Sequence, residues 1–177
     1  PVSIIKNEIA PKMLKDPTYL TRSRIRVLNG RGEEVDPRSI NWASERATNY
    51  TLRQDSGAQN SLGSIRISMP NSHAVYMHDT PSRSLFEAAD RAFSSGCVRV
   101  ERPLELTRLL LNDAQKWNEE TIAKTLESEQ TRNVTLPRKI PVLLAYWTAW
   151  VDQENRVNFR RDVYGQDTRW AEGLDGE

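Results

Sequence analysis

Between Ser61 and His78 the side chains alternate in character. Ile65, Ile67 and Met69 are apolar, and Ser64, Arg66 and Ser68 between them are polar. A period of two places the apolar set on one face of an extended chain, which predicts a strand with one side buried. Pro70-Asn71-Ser72 breaks the run, and His73 to His78, rich in Val, Tyr and Met, reads as a second strand. Two strands joined by so short a turn predict a β-hairpin. The core behind it must hold without covalent or metal staples. The chain has 177 residues and one cysteine, which excludes an internal disulfide framework and any multi-cysteine zinc or iron–sulfur site. A chain of this length makes one domain able to bury a core unaided.

Charge narrows the partners. Lys and Arg number 25 and Asp and Glu 24, a net charge of +1. No large single-sign field follows, so nothing in the composition points to nucleic acid or an anionic membrane surface. Charged residues make up 28% and apolar ones 37%, somewhat wet for a globular domain but not a disordered composition. The longest apolar run, Val142 to Trp147, falls far short of the roughly 18 residues of a membrane span. The amino terminus lacks the basic-then-apolar pattern of a signal peptide. The chain opens on Pro1 rather than Met, and the expectation is a processed or excised piece of a longer protein.

Elsewhere the pattern is uneven. Residues 1–20 hold apolar fragments broken by Pro11 and Pro17, and residues 29–60 read as loop with short helical turns, a lid or insertion rather than core. Ser82 or Ser84 is placed to cap a helix running through Leu85 and Phe93, with Glu87 completing a capping box after Ser84. Pro103 opens a leucine-rich helix, and another begins near Asn118. Residues 128–139 read as polar linker, and Val142 to Val151 as a long strand turned by Asp152–Asn155 so that Val157 to Phe159 pairs back. Trp147 and Trp150 read as one packed and one outward residue of that strand. The acidic tail from Gly165 reads as frayed.

A thiol attacks as thiolate and needs a group to take its proton. The chain has two histidines, His73 and His78, which lie 24 and 19 residues before Cys97. Being five apart, they face opposite sides of one strand, so only one can address a given thiol; Tyr76 shares the face of His78. Gly96, directly before Cys97, permits backbone geometry that brings N–H groups close to a bound carbonyl, as an oxyanion hole requires. A thiol, a base and backbone donors are what acyl transfer needs. From residue type alone a single cysteine also reads as small core filler, and a lone histidine as a structural hydrogen-bonding residue. A serine hydrolase lacks its Gly-x-Ser-x-Gly elbow here, and the two histidines lack the spacing of a zinc helix.

Tyr76-Met77-His78-Asp79-Thr80-Pro81, followed by Ser94-Ser95-Gly96-Cys97-Val98-Arg99-Val100, resembles the signature of the L,D-transpeptidase (YkuD-type) catalytic domain. That signature is a histidine in a His-Gly/Asp-Thr setting, a gap, then Ser-x-Gly-Cys-aliphatic-Arg. Gly57, Gln59-Asn60-Ser61-Leu62-Gly63, Met69-Pro70 and the Ser94-Ser95 doublet are similar to the YcbB-like branch. Ser95 stands where many members have His and Asp79 where many have Gly, both as in that branch. The similarity is strongest over residues 54–103. Pro1 to Ile5 resembles a segment already inside the family's catalytic domain, so that opening strands would lie outside this chain.

The resemblance implies a mixed α+β fold, mainly β: a β-sandwich-like catalytic core with helices and a loop-rich capping insertion at about residues 11–57, all within one catalytic domain over 1–177. It implies Cys97 as nucleophile, His78 as the base, and the N–H groups of Gly96 and Cys97 as oxyanion donors, with Tyr76 as a nearby hydroxyl. The Asp79 carbonyl or a group near it would orient the imidazole. Ser95, Arg99 and Asn71 become substrate or backbone contacts, and His73 stays structural. The implied donor is a peptidoglycan tetrapeptide stem. Attack at its diamino-acid third residue releases the terminal D-Ala, and a second stem's amine then resolves the thioester into a 3→3 cross-link. Carbapenem β-lactams would acylate the same thiol. The implied place is the periplasm or cell envelope, and neither cofactor nor metal is implied. An L,D-carboxypeptidase, a lipoprotein-attaching transpeptidase and an inert wall-binding module remain as alternatives. A papain-like endopeptidase is disfavoured because His78 precedes Cys97.

Overall fold

The computed structural model describes residues 2–174. They divide into two compact units, one ending at Arg138 and one beginning at Lys139. The boundary falls within the polar segment expected as linker. The mixed α+β character holds: several short sheets are accompanied by a few helices.

The first unit begins with a continuous helical run. Helix α1 (Val2–Ile4) passes through a wider π-helical turn (Ile5–Ile9) into α2 (Ala10–Lys15). Pro11 does not break it, contrary to expectation. The Ala10 N–H reaches back to the Ile5 carbonyl, and Pro11 falls in the first turn of α2, where its missing N–H costs nothing. Pro17 does end the run: Asp16 before it is extended, as a residue preceding proline must be. Ile5, Ile9 and Met13, four apart, form one buried stripe.

Helix α3 (Tyr19–Arg22) leads into β1 (Ile25–Leu28), which is central in an antiparallel sheet of order β2-β1-β3, with β2 at Glu34–Val35 and β3 at Thr51–Gln54. Val27 faces Val35 on one side and Leu52 on the other. The turn between β1 and β2 is built by Asn29, whose Oδ1 accepts the N–H groups of Arg31 (2.9 Å) and Glu33 (3.0 Å). The helical stripe, Leu20, Val27, Trp42 and Ala47 make one core cluster, within which Leu20 and Val27 are fully buried. Residues 29–60, read as loop, thus hold strands and part of a core. Strands of two and four residues are too short for periodicity to reveal, and pairing with β1 makes them.

A second sheet has the order β4-β5-β6, with β4 at Arg66–Ile67, β5 at Met77–His78 and β6 at Val98–Arg99. The expected hairpin is present, since β4 and β5 pair antiparallel with Arg66 opposite His78. Its strands are shorter than the alternation predicts, and His73 lies in the turn rather than on a strand. The helix expected from Ser82 or Ser84 to Phe93 is only a single 3₁₀ turn, Arg83–Glu87. Ser82 gives it no side-chain cap, and the Arg83 side chain is held elsewhere. Helices α4 (Pro103–Leu111) and α5 (Glu119–Glu127) form where expected: Pro103 occupies the first turn, and Asn118 caps α5 by accepting the Thr121 N–H at 2.9 Å.

The second unit holds an antiparallel pair, β7 (Ala149–Val151) with β8 (Val157–Phe159), and helix α6 (Gln166–Leu174). Asp152 builds the turn between the strands by accepting the N–H groups of Glu154 and Arg156. The long strand expected from Val142 is confined to Ala149–Val151; Leu143 and Trp147 before it are exposed, whereas Trp150 is half-buried with the Arg160 guanidinium 5.6 Å from its ring. The tail expected to fray is helical from Gln166 to Leu174, and residues 175–177 lie outside the described ones. Among the described residues no helix is long and apolar enough to cross a membrane.

Burial predicts a contrast. Leu20→Ala removes a fully buried side chain and is expected to cost about 2–5 kcal/mol in urea denaturation. Leu109→Ala, on the exposed side of α4, is expected to stay within about 0.5 kcal/mol of the parent.

Candidate active site

The site rests on a strand pairing. β5 and β6 run parallel, with Met77 opposite Val98 and His78 opposite Arg99. The Val98 N–H donates to the Tyr76 carbonyl at 3.0 Å and the Val100 N–H to the His78 carbonyl at 2.8 Å. Side chains two apart on a strand share a face, so Tyr76 and His78 project together. Their rings meet edge-on with centroids 5.9 Å apart. Cys97, one residue before β6, continues the register beside Tyr76. Burial first, and the neighbouring Cys97 after it, push the Tyr76 phenol above its usual range, while Arg66 pulls the other way. The Arg66 guanidinium lies 5.5 Å from the Tyr76 ring centroid. A phenol held in its neutral form keeps its proton to donate.

His78 is buried, and its Nδ1 is hydrogen-bonded to the backbone carbonyl of Asp79. A carbonyl only accepts, so Nδ1 carries the hydrogen and Nε2 of the neutral ring is left free to take a proton. Of the orienting groups open at the level of sequence, the geometry selects this carbonyl. The Asp79 carboxylate then fixes the peptide that bears it. Its Oδ2 accepts the Ser64 N–H at 2.9 Å, and its Oδ1 accepts the Thr80 N–H at 2.8 Å and an Arg83 nitrogen at 2.5 Å. A second Arg83 nitrogen donates to the Glu101 carbonyl at 2.6 Å, tying the chain after β5 to the chain after β6. The pair is half open to water, so its energy alone is modest, of order 1 kcal/mol. Gly63 is required beside it: its φ is +61°, and a Cβ there would collide with the Asp79 side chain.

Gly96 has φ +123°, a conformation that favours glycine, although nothing crowds the position more closely than Val75 at 3.9 Å. Its N–H, expected as an oxyanion donor, is directed at the Ser94 hydroxyl at 3.2 Å. Ser95 is exposed, with its hydroxyl 3.5 Å from Glu8. Asn71, expected among substrate contacts, is instead occupied in its own turn. Its Nδ2 donates to the carbonyls of Met69 and Val75, both at 2.7 Å, and its Oδ1 accepts the N–H groups of His73 and Val75. Every position of the amide is used, so Asn71 holds backbone rather than ligand. His73 is exposed in that turn, which replaces strand parity as what separates it from His78.

Cys97 is half-buried and opens on a cleft of about 290 Å³. Leu85, Phe86, Phe93 and Val98 supply its apolar lining, and Arg91 and Arg99 its charge. Sequence reasoning placed Arg99 here but missed Arg91, the two phenylalanines, Arg83 and the Asp79 carboxylate. The four-residue spacing of Asp79 and Arg83 was the available signal. Among the described residues no group of three or more His, Cys, Asp or Glu is arranged to hold a metal ion.

The hydrogen-bond geometry predicts that long-range ¹H–¹⁵N spectra will show neutral His78 protonated at Nδ1. Arg83→Gln should move the His78 signals and leave those of His73 in place; an Nε2–H tautomer at His78 would contradict this assignment. Because the Tyr76 value is raised in the folded state, its contribution is intact below the free-tyrosine value of about 10 and is lost as pH climbs through the folded value. Tyr76→Phe should therefore flatten part of the alkaline loss of stability in pH-dependent denaturation.

Two comparisons bear on this arrangement. The profile of the YkuD family, the L,D-transpeptidase catalytic domain, matches residues 1–127. A curated protein of Haemophilus influenzae named "Putative L,D-transpeptidase" is 41% identical over 168 residues, which is 94% of this chain and 34% of that protein. The chain thus spans about a third of the length of the curated relative it matches. With most of the first unit matched, including the strands that carry His78 and Cys97, the chain belongs to the L,D-transpeptidase catalytic domain family.

Proposed function

We propose that this chain is the catalytic domain of a peptidoglycan L,D-transpeptidase that forms 3→3 cross-links through a thioacyl-enzyme on Cys97. The observation that supports the reading is the β5–β6 register, which puts Cys97 opposite Tyr76 on the strand face that Tyr76 shares with His78. His78 Nε2 takes the thiol proton as the sulfur attacks the carbonyl of the third stem residue. The tetrahedral oxyanion is met by backbone N–H groups near Cys97 and by the Tyr76 hydroxyl. The Gly96 N–H must leave the Ser94 hydroxyl to take part. The proton passes to the departing D-Ala amine, and a thioester remains. The amine of a second stem then attacks, loses its proton to His78, and the sulfur leaves as thiolate.

The YcbB-like features, an envelope location and carbapenem acylation of Cys97 belong to the same proposal. Residues 11–57 carry part of a packed core and a sheet, which supports treating them as a folded subdomain rather than an idle loop.

Purified disaccharide-tetrapeptide tests the reaction. Cross-linked dimers with released D-Ala are expected; tripeptide alone would make the chain an L,D-carboxypeptidase, and no product from folded protein would overturn the proposal. Cys97→Ala should abolish turnover and the carbapenem mass adduct together. His78→Ala should lower kcat by at least about 10²-fold and His73→Ala by little; equal losses would remove His78 from the role of base.

A further inference from the structure

We propose that Arg91 and Arg99 form a carboxylate-binding subsite in the Cys97 cleft, which selects acyl donors bearing an anionic group close to the reacting carbonyl. The proposal deepens the acyl-transfer reading and rests on it for the identity of the donor.

Both arginines line the same small cavity as the thiol. Arg99 is the better placed of the two. It is opposite His78 in the parallel register, and the hydrogen bond from the Val100 N–H to the His78 carbonyl fixes its backbone. Three arginines among the described residues bury an unpartnered Nε: Arg26, Arg99 and Arg108. Arg26 compensates through Asp55 at 2.5 Å and Arg108 through Glu119 at 3.0 Å. Arg99 alone of the three has no carboxylate partner among the described residues. Arg91 likewise has none there, and its Nε is steadied by the Ala88 carbonyl at 3.1 Å. For the half-buried Arg99, a guanidinium without an anion is costly unless a ligand supplies one; the exposed Arg91 carries no such cost.

The surroundings fit that ligand. Leu85 and Phe86, half-buried in the cleft wall, lower the local dielectric and strengthen charge pairing beside them. A guanidinium presents a planar fork that matches a carboxylate in two parallel hydrogen bonds. The Arg66 guanidinium, 5.5 Å from the Tyr76 ring centroid, is a further cation near the thiol, so the glutamine variants of Arg91 and Arg99 decide which side chains discriminate.

Alkylation of Cys97 isolates this property from turnover. Iodoacetate and iodoacetamide react alike: the thiolate displaces iodide from a methylene carbon, a thioether forms, and the thiol proton goes to buffer. They differ in one charge. The ratio of their second-order rate constants on the whole chain, divided by the same ratio for N-acetylcysteine, reads the subsite directly. We expect this normalised ratio to be about tenfold above unity, the size of one charge-assisted pair. It should fall toward one in Arg99→Gln, stay raised in Arg99→Lys, and shrink at high salt. Arg91 is exposed, so Arg91→Gln tests the second cation without risk to folding, and a partial fall is expected. A ratio of one in the parent, or a ratio unchanged in both glutamine variants, would overturn the subsite. A raised ratio in a chain that makes no cross-link would uphold the subsite and count against the acyl-transfer reading; cross-linking with a flat ratio would do the reverse.

Discussion

Two backbone hydrogen bonds carry the site. The Val98 N–H to the Tyr76 carbonyl and the Val100 N–H to the His78 carbonyl set β6 parallel to β5 in one register. A slip of one residue would turn Cys97 to the opposite face from His78, since side chains alternate along a strand. Everything chemical therefore depends on a pairing of two-residue strands, too short to persist alone. The Asp79–Arg83–Glu101 tie supplies the missing constraint. Arg83 links the ends of both strands, and Asp79 presents to His78 the carbonyl that sets its tautomer. A loop salt bridge of modest energy thus has a positional role larger than its contribution to stability.

The packed core lies elsewhere in the same unit. Leu20 and Val27 anchor a cluster formed by the helical run at residues 2–15, α3 and the β2-β1-β3 sheet. The β4-β5-β6 sheet, by contrast, keeps polar groups buried at the end of β5 and just after it: His78, Asp79 and Thr80. Buried polar groups are tolerated when each has partners, and Asp79 has three. This division is what a catalytic domain needs, with stability drawn from apolar packing and the reactive groups set by hydrogen bonds.

The sequence made some of this legible and hid the rest for identifiable reasons. The β4–β5 hairpin was readable because Ile65, Ile67 and Met69 alternate with polar residues. Helices α4 and α5 were readable because Pro103 and Asn118 mark their starts. The parallel partner β6 was not, because two residues after a cysteine carry no period and a parallel pairing is set by tertiary contacts. The helix expected after Ser82 failed because Arg83 is drawn to Asp79 and Glu101, which outweighs a local capping pattern. Residues 29–60 look like loop because their strands are edges completed by β1. Within the proposed site, Cys97 and His78 stand out through motif resemblance, whereas for Asn71 the sequence left backbone and substrate contact open, and its amide is taken up by the turn.

In the proposed reaction, Cys97 Sγ, positioned by the β5–β6 register, takes the acyl group. Rapid quenching of the protein mixed with a tetrapeptide donor, followed by peptide mapping by mass spectrometry, tests it most directly. A tripeptidyl mass is expected on the peptide containing Cys97, with one D-Ala released per acyl group and none of that adduct in Cys97→Ser. An acyl group found on any other residue, or D-Ala released at the parent rate by Cys97→Ala, would contradict it.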